Sequence, residues 1–301
     1  MSFVSKYRVP RPLTAPARTE AELVASLRAH RRADPLDFPI LQAALDLSAL
    51  ACLQADRPLP DFDDVIDLMN EMAHFAGEWV AVYDGAPPVG EQVEWLAQSV
   101  SEVGAFGGIT QDYDASENAD FASVIQNRRI LPVSIGVLYI HLARSCNFAI
   151  EGLNFPGPFL LRMEANDEQV IFDPSAGARP ASPQDLRALL KRHQGEAAEL
   201  DLSPFTRGIS DMDVLIRMEN ATKMRALREG RAGEALQVIE RLLLLDPGNG
   251  VVWQEAGLLH WELGNSRAAV LAFEHAVATM QEPALCSRVQ SLLDEALCQL
   301  N

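Results

Sequence analysis

Along most of the chain the apolar residues recur every three or four positions, which predicts a largely helical protein. Thr19 followed by Glu22 has the spacing of a capping box and opens a charged helix from about Glu20 to Arg32. Leu41, Leu45, Ser48 and Cys52 share a face, giving a helix from about Pro39 to Leu53. Val65, Leu68, Met69, Met72, Phe75 and Ala76 mark a longer one. Val93, Leu96 and Val100 predict a helix over Glu91–Val103, and Phe121–Asn127 a short one. Ser182-Pro183 starts another, to about His193, with proline in the first turn.

One stretch departs from this pattern. From Ile135 to Ala143 the apolar positions run most of the way round, the mark of a core helix. Pro132 suits its first turn, and Ser134 falls within that turn. After Asn147 the chain breaks into short apolar runs, Phe148–Phe155, Phe159–Met163 and Gln169–Phe172, split by Gly, Pro and Asn-Asp. That is one buried helix followed by two or three strands. The stretches "GAFGGITQDYDASENAD" and "SAGARPASPQ" are loops, the first a rim for this core, and "GEAAELDLSPFTRGISD" is a linker. Arg128 and Arg129 either anchor to nearby carboxylates or lie in solvent.

Beyond the linker a period emerges. Gly230, Ala235, Ile239 and Leu242 recur 34 residues on as Gly264, Ala269, Phe273 and Ala276. With Trp253 and Gly257 they resemble the tetratricopeptide signature. Helix pairs follow at about 210–229/231–245 and 251–263/266–280, closed by a helix over 283–299. Such a resemblance implies a concave groove lined by Asn220, Met224, Gln254, Leu258 and Trp261. Two repeats are few, so the apolar face around Leu215, Met218 and Met224 needs a cover, which the preceding core can supply.

A formal net charge of −17 argues against a nucleic-acid platform or an anionic membrane surface, which depend on excess Lys and Arg. Neither a signal peptide nor an apolar run of membrane-spanning length is legible. Cys52, Cys146, Cys286 and Cys298 are scattered without CxxC spacing, which fits a reducing cytoplasm. No histidine has metal-ligand spacing. "GAFGG" lacks the Lys-Ser/Thr of a phosphate loop, so no metal or cofactor is expected.

The segments "NRRILPVSIGVLYIHLAR", "GLNFPGPFLLR" and "IFDPSAG", preceded by "QDYDASENADFASVI", carry a family resemblance. Over about residues 36–300 the chain resembles the transglutaminase-like (papain-type) superfamily, and within it the bacterial SirB-type invasion-regulator branch, where such a core precedes tetratricopeptide repeats. The resemblance implies a nucleophile at the helix start, a histidine on a strand and an aspartate at a strand end. Those positions fall on Ser134, Pro158 and Asp173. A thiolate there would attack an acyl carbon while the histidine moves the proton. Here the nucleophile position holds no cysteine. Pro158 replaces the histidine, and proline cannot act as a base. His141 lies two turns from Ser134, about 10 Å along the axis, too far for direct transfer. His193, on a later helix, stays open as a partner.

The expected architecture is therefore α+β, mostly helical: an extended arm over 1–18, a helical region plus transglutaminase-like core over 19–205, and repeats with a capping helix over 209–301. Ser134, Pro158 and Asp173 should converge as a vestigial site. Ser134 also reads as a helix-start hydrogen bonder and Asp173 as a turn anchor. Asn154 and Arg162 order the strands or line a remnant pocket. The expected function is a non-catalytic binding or regulatory protein for proteins or peptides, with Asn220, Gln254 and Trp261 in contact. The alternative is an atypical amide hydrolase or acyltransferase using Ser134.

Overall fold

A computed structural model describes residues 8–106, 121–128, 131–195 and 205–300. The rim loop over 107–120, Arg129, most of the linker over 196–204 and the first seven residues of the arm lie outside them. The chain divides into two compact units: residues 1–49 with 58–215, and residues 50–57 with 216–301.

In the first unit, α1 (Glu20–Arg31) starts at Thr19, whose side chain accepts from the Glu22 amide as the sequence predicts. Leu23 and Leu27 are its buried positions. A single 3₁₀ turn over Pro35–Asp37 leads to α2 (Ile40–Gln54), then α3 (Phe62–Val82) and α4 (Val89–Gln98). The helix predicted over 91–103 is split. Its last turn, Ser99–Val103, widens to π geometry, and Ser99 Oγ donates to the Met72 carbonyl at 2.7 Å. After α5 (Phe121–Gln126) comes α6 (Pro132–Ser145), in which every residue from Ser134 to Arg144 is buried.

The sheet has four antiparallel strands in the order β3-β2-β1-β4. They are β1 (Ala149–Leu153), β2 (Leu161–Ala165), β3 (Glu168–Phe172) and β4 (Gly208–Ile209). Asn166 and Asp167, both at positive φ, make the tight β2–β3 turn. β4 lies where the sequence suggests a linker: two residues pairing with Gly152 and Leu153 are too short for any period to reveal. Between β3 and β4 runs α7 (Pro183–Gln194), started by a capping box of Ser182 and Asp185.

Then follows α8 (Asp211–Arg228), at whose start Ser210 and Asp213 form a second reciprocal cap. The division between units falls within this helix, between Leu215 and Ile216.

The second unit adds α9 (Ala232–Leu245), α10 (Gly250–Glu262), α11 (Ser266–Thr279) and α12 (Pro283–Leu300). Gly230 and Gly264 occupy left-handed conformations (φ 69° and 76°) before α9 and α11, where side chains with a Cβ are strained. Ala235, Ile239 and Leu242 on α9, and Ala269, Phe273 and Ala276 on α11, are all buried. Gly257 on α10 leaves the space that the Phe273 ring fills. Residues 50–57, the end of α2 and the turn after it, group with this unit. The Gln54 carbonyl accepts from Gln237 Nε2 at 2.7 Å, and its Oε1 accepts from Arg241 Nη1 at 2.6 Å. Buried Arg241 also donates to Glu219 on α8, at 2.8 Å.

Candidate functional site

The start of α6 is fixed by its sequence. Leu131 is extended (φ −103°, ψ 131°), as a residue before proline must be, and Pro132 takes the first helical position. Ser134 follows in the first turn and is 4% exposed. Two residues on, Gly136 has no side chain because the Phe159 ring occupies that space. The same ring reaches Gly152 on β1, so two glycines make the slot that holds Phe159.

Phe159 is held in place by the turn before it. Gly157 sits at φ +89° between Pro156 and Pro158, and the imidazole of His193, at the end of α7, lies directly against it. Pro158 is half-buried beside this contact. An exposed histidine from a later helix therefore rests next to the position where the resemblance implies one.

The third element also reaches α6. Phe172 at the end of β3 packs on Tyr139, ring centroids 5.7 Å apart, and the 3₁₀ turn Pro174–Ala176 lies against the same helix. Asp173 between them points its carboxylate at its own turn. Oδ1 accepts from the Ser175 amide at 2.8 Å and from Ser175 Oγ at 2.6 Å, which makes Asp173 a cap. The three elements that carry Ser134, Pro158 and Asp173 thus gather around α6, while the Asp173 carboxylate is engaged by Ser175.

Arg162 orders strands. It stands opposite Glu151 in the β1–β2 ladder and pairs with it. Its Nη1 donates to the Thr206 carbonyl at 3.2 Å, and its Nε lies 3.0 Å from Glu164 Oε1. Asn154 is exposed, and its backbone N–H donates to the Arg207 carbonyl at 2.9 Å. Arg128 shares a cleft with Asp64, Asp67 and Glu71, its guanidinium 5.9 Å from the centre of the Phe106 ring.

The far end of α6 holds different chemistry. Burial and, secondarily, the charge of Arg144 push the His141 pKa down to about 4, so its imidazole is neutral at ordinary pH. Cys146, the cap residue there, has a thiol pushed up to about 11 by burial, which removes the thiolate that nucleophilic attack needs. Arg144 forms a two-armed ion pair with Asp211 in the first turn of α8, with Nη2–Oδ1 at 2.8 Å. Both side chains are almost fully buried. Sequence reading missed this pair, because one arginine in an otherwise apolar helix looks like a helix-end charge. The spacing Ser210-x-x-Asp213 is the local signal that could have located the start of α8, and it was not used.

In the second unit Asn220 and Gln254 are half-buried, and Met224 and Leu258 are exposed. Between them Lys223, buried at 5% exposure, pairs with Glu255. Trp261 is engaged by the closing elements. Its Nε1 donates to Gln299 on α12 at 2.8 Å, and its ring meets Phe273 edge-on at 5.9 Å. Among the described residues no group of three or more His, Cys, Asp or Glu is placed to hold a metal, and no helix is long and apolar enough to cross a membrane.

Residues 66–220 match a family model described as the transglutaminase-like superfamily. A UPF0162 protein from Xylella fastidiosa is 26% identical over 167 residues, 55% of this chain and 59% of that protein, so the match spans about three-fifths of its length. A UPF0162 protein from Pseudomonas aeruginosa is 26% identical over 75% of this chain and 82% of its own. The UPF0162 protein YchA of Escherichia coli is 22% identical over 86% and 94%. Among solved structures, menin superposes with a TM-score of 0.40 at 9% identity, over 89% of this chain and 71% of menin, too weak a likeness to carry an argument.

Proposed function

The chain belongs to the transglutaminase-like superfamily, and from that premise we propose that it is a non-catalytic binding or regulatory protein. In this reading the core is a scaffold that has lost its chemistry, as in a branch resembling the SirB-type regulators. The observation that carries it is Pro158. A proline stands where the resemblance implies the general base, and without a base a serine hydroxyl is a poor nucleophile near neutral pH. The capping role of Asp173, with its carboxylate on Ser175, supports the same reading.

We read the helical hairpins of the second unit as two tetratricopeptide repeats closed by α12. The 34-residue recurrence of buried small and apolar positions supports this. Their groove, with Asn220, Gln254 and the Lys223–Glu255 pair, is suited to a protein or peptide partner in the cytoplasm. The end of α2, bound through Gln54 to α9, is a cover for the open end of a two-repeat array.

The test is turnover. Purified protein should release no ammonia from glutamine-containing peptides and incorporate no amine into them beyond the level of Ser134→Ala. A reproducible activity abolished in Ser134→Ala would overturn the reading.

A second reading, an amide hydrolase or acyltransferase using Ser134, is favoured by one contact: the His193 imidazole against Gly157. In that case any activity should vanish equally in His193→Ala and Ser134→Ala.

A further inference from the structure

We propose that the cavity between the N-terminal arm, the segment leading into α2 and the far end of α6 binds a small amphipathic carboxylic acid. The carboxylate sits at the arginines of the mouth, the apolar body lies inside, and one hydroxyl or carbonyl group meets His141. This site uses none of Ser134, Pro158 or Asp173.

The cavity has a volume of about 390 Å³. That is within the range of about 300–1,000 Å³ usual for small-molecule sites. At liquid water's share of about 30 Å³ each, it has room for about a dozen non-hydrogen atoms. Its walls are largely apolar, with Leu36 and Phe38 among them. The stretch from Arg8 to Thr14 forms one wall and is fastened at both ends. Near its start the Arg8 amide donates to the Leu36 carbonyl at 3.1 Å. At its end the Thr14 amide donates to Gln42 Oε1, and Gln42 Nε2 returns a bond to the Thr14 carbonyl, both at 2.9 Å. Prolines at 10 and 12 fix φ between these fastenings, so the wall is ordered before any ligand arrives.

Exposure orders the polar groups by depth. Arg8 and Arg11 stand at the mouth, their side chains 69% and 79% exposed, and both address the same oxygen of Asp37, at 3.6 and 2.8 Å. Two guanidiniums on one carboxylate leave a surplus positive charge and spare N–H donors, the requirement for holding a second carboxylate. In a chain of net charge −17 this surplus is local and selects an anion. Deeper, Arg144 is already matched by Asp211, so the inner end offers no free charge for an acid group. What it offers is His141, 6% exposed, whose imidazole has no hydrogen-bond partner among the described residues. Kept neutral by burial, that ring carries one N–H and one bare nitrogen, and the residue lines the cavity. An uncharged ligand oxygen that pairs with it inside an apolar pocket makes a hydrogen bond sheltered from water and stabilises the complex.

Calorimetric titration of the full chain with 4-hydroxybenzoate tests this, against benzoate, which lacks the hydroxyl, and 4-hydroxybenzyl alcohol, which lacks the charge. Saturable one-to-one binding is expected, about tenfold weaker for each analogue, the size of one lost hydrogen bond to a charged or buried group. The hydroxyl's advantage should disappear in His141→Phe. Arg8→Gln with Arg11→Gln, both at exposed positions, should weaken 4-hydroxybenzoate by about tenfold or more with an unchanged melting temperature. Leu36→Trp, from a position 42% exposed, should fill the cavity and abolish binding. Absence of saturable binding by 4-hydroxybenzoate, or binding unchanged in the double arginine variant, overturns the proposal.

Discussion

His141 is held neutral by its surroundings, and that has a consequence for stability. Its folded pKa of about 4 lies below the unfolded value of about 6.5. The unfolded state therefore binds more protons between these limits, and stability rises with pH across them. The contribution is fully present above about pH 6.5, is lost as pH falls through about 4, and amounts to roughly 3 kcal/mol. Denaturant melts from pH 7 to pH 4 should show this slope, and His141→Gln should flatten it. Equal slopes in the two proteins would remove His141 as the cause. Gly136 makes a second point at this scale. Alanine is the better helix former by about 1 kcal/mol, yet a Cβ here would run into the Phe159 ring. Gly136→Ala should lower stability by about 1–3 kcal/mol, the usual cost of overpacking, and pairing it with Phe159→Leu should recover part of the loss. A stabilised single variant would show that Phe159 is not seated against α6.

At the scale of elements, the Arg144–Asp211 pair fastens α6 to the first turn of α8. Each charge also suits its place, a cation at a helix C-terminus and an anion at an N-terminus. Breaking a buried pair from one side strands the other charge. Arg144→Met should thus cost about 3–5 kcal/mol, and adding Asp211→Leu should restore most of it. Additive losses in a double-mutant cycle would show that the two groups do not interact. This pair also marks what the sequence could and could not announce. The all-round apolar stretch from Ile135 identified α6 as the core helix, and the Gly, Pro and Asn-Asp breaks located β1 to β3 within a few residues. The Thr19 cap was legible because its signal is local. β4 was not, since two residues have no period. Pairings between Arg144 and Asp211, or Gln54 and Arg241, join residues far apart in the chain and leave no trace in local spacing. In the candidate site the proline at 158, where the resemblance implies a histidine, was legible in the sequence, while the approach of His193 to Gly157 depended on how α7 packs and stayed an open possibility.

For the whole molecule, the division into two units runs through α8 and not through the stretch that looks like a linker. Strand β4 and Asp211 belong with the first unit. A chain ending at Thr206 should accordingly be less stable than one ending at Arg228, by about the 3–5 kcal/mol of a stranded buried arginine. Equal melting of the two fragments would show that the core is complete before β4. The central claim, that the transglutaminase-like core has given up acyl chemistry, rests on the surroundings of Ser134. It is tested most directly by incubating the full chain with an activated acetyl ester and mapping acetylated residues by mass spectrometry. The account predicts no acetyl group on Ser134 beyond that on other serines. An acetylated Ser134 that forms faster than any other serine adduct and turns over in water would contradict it.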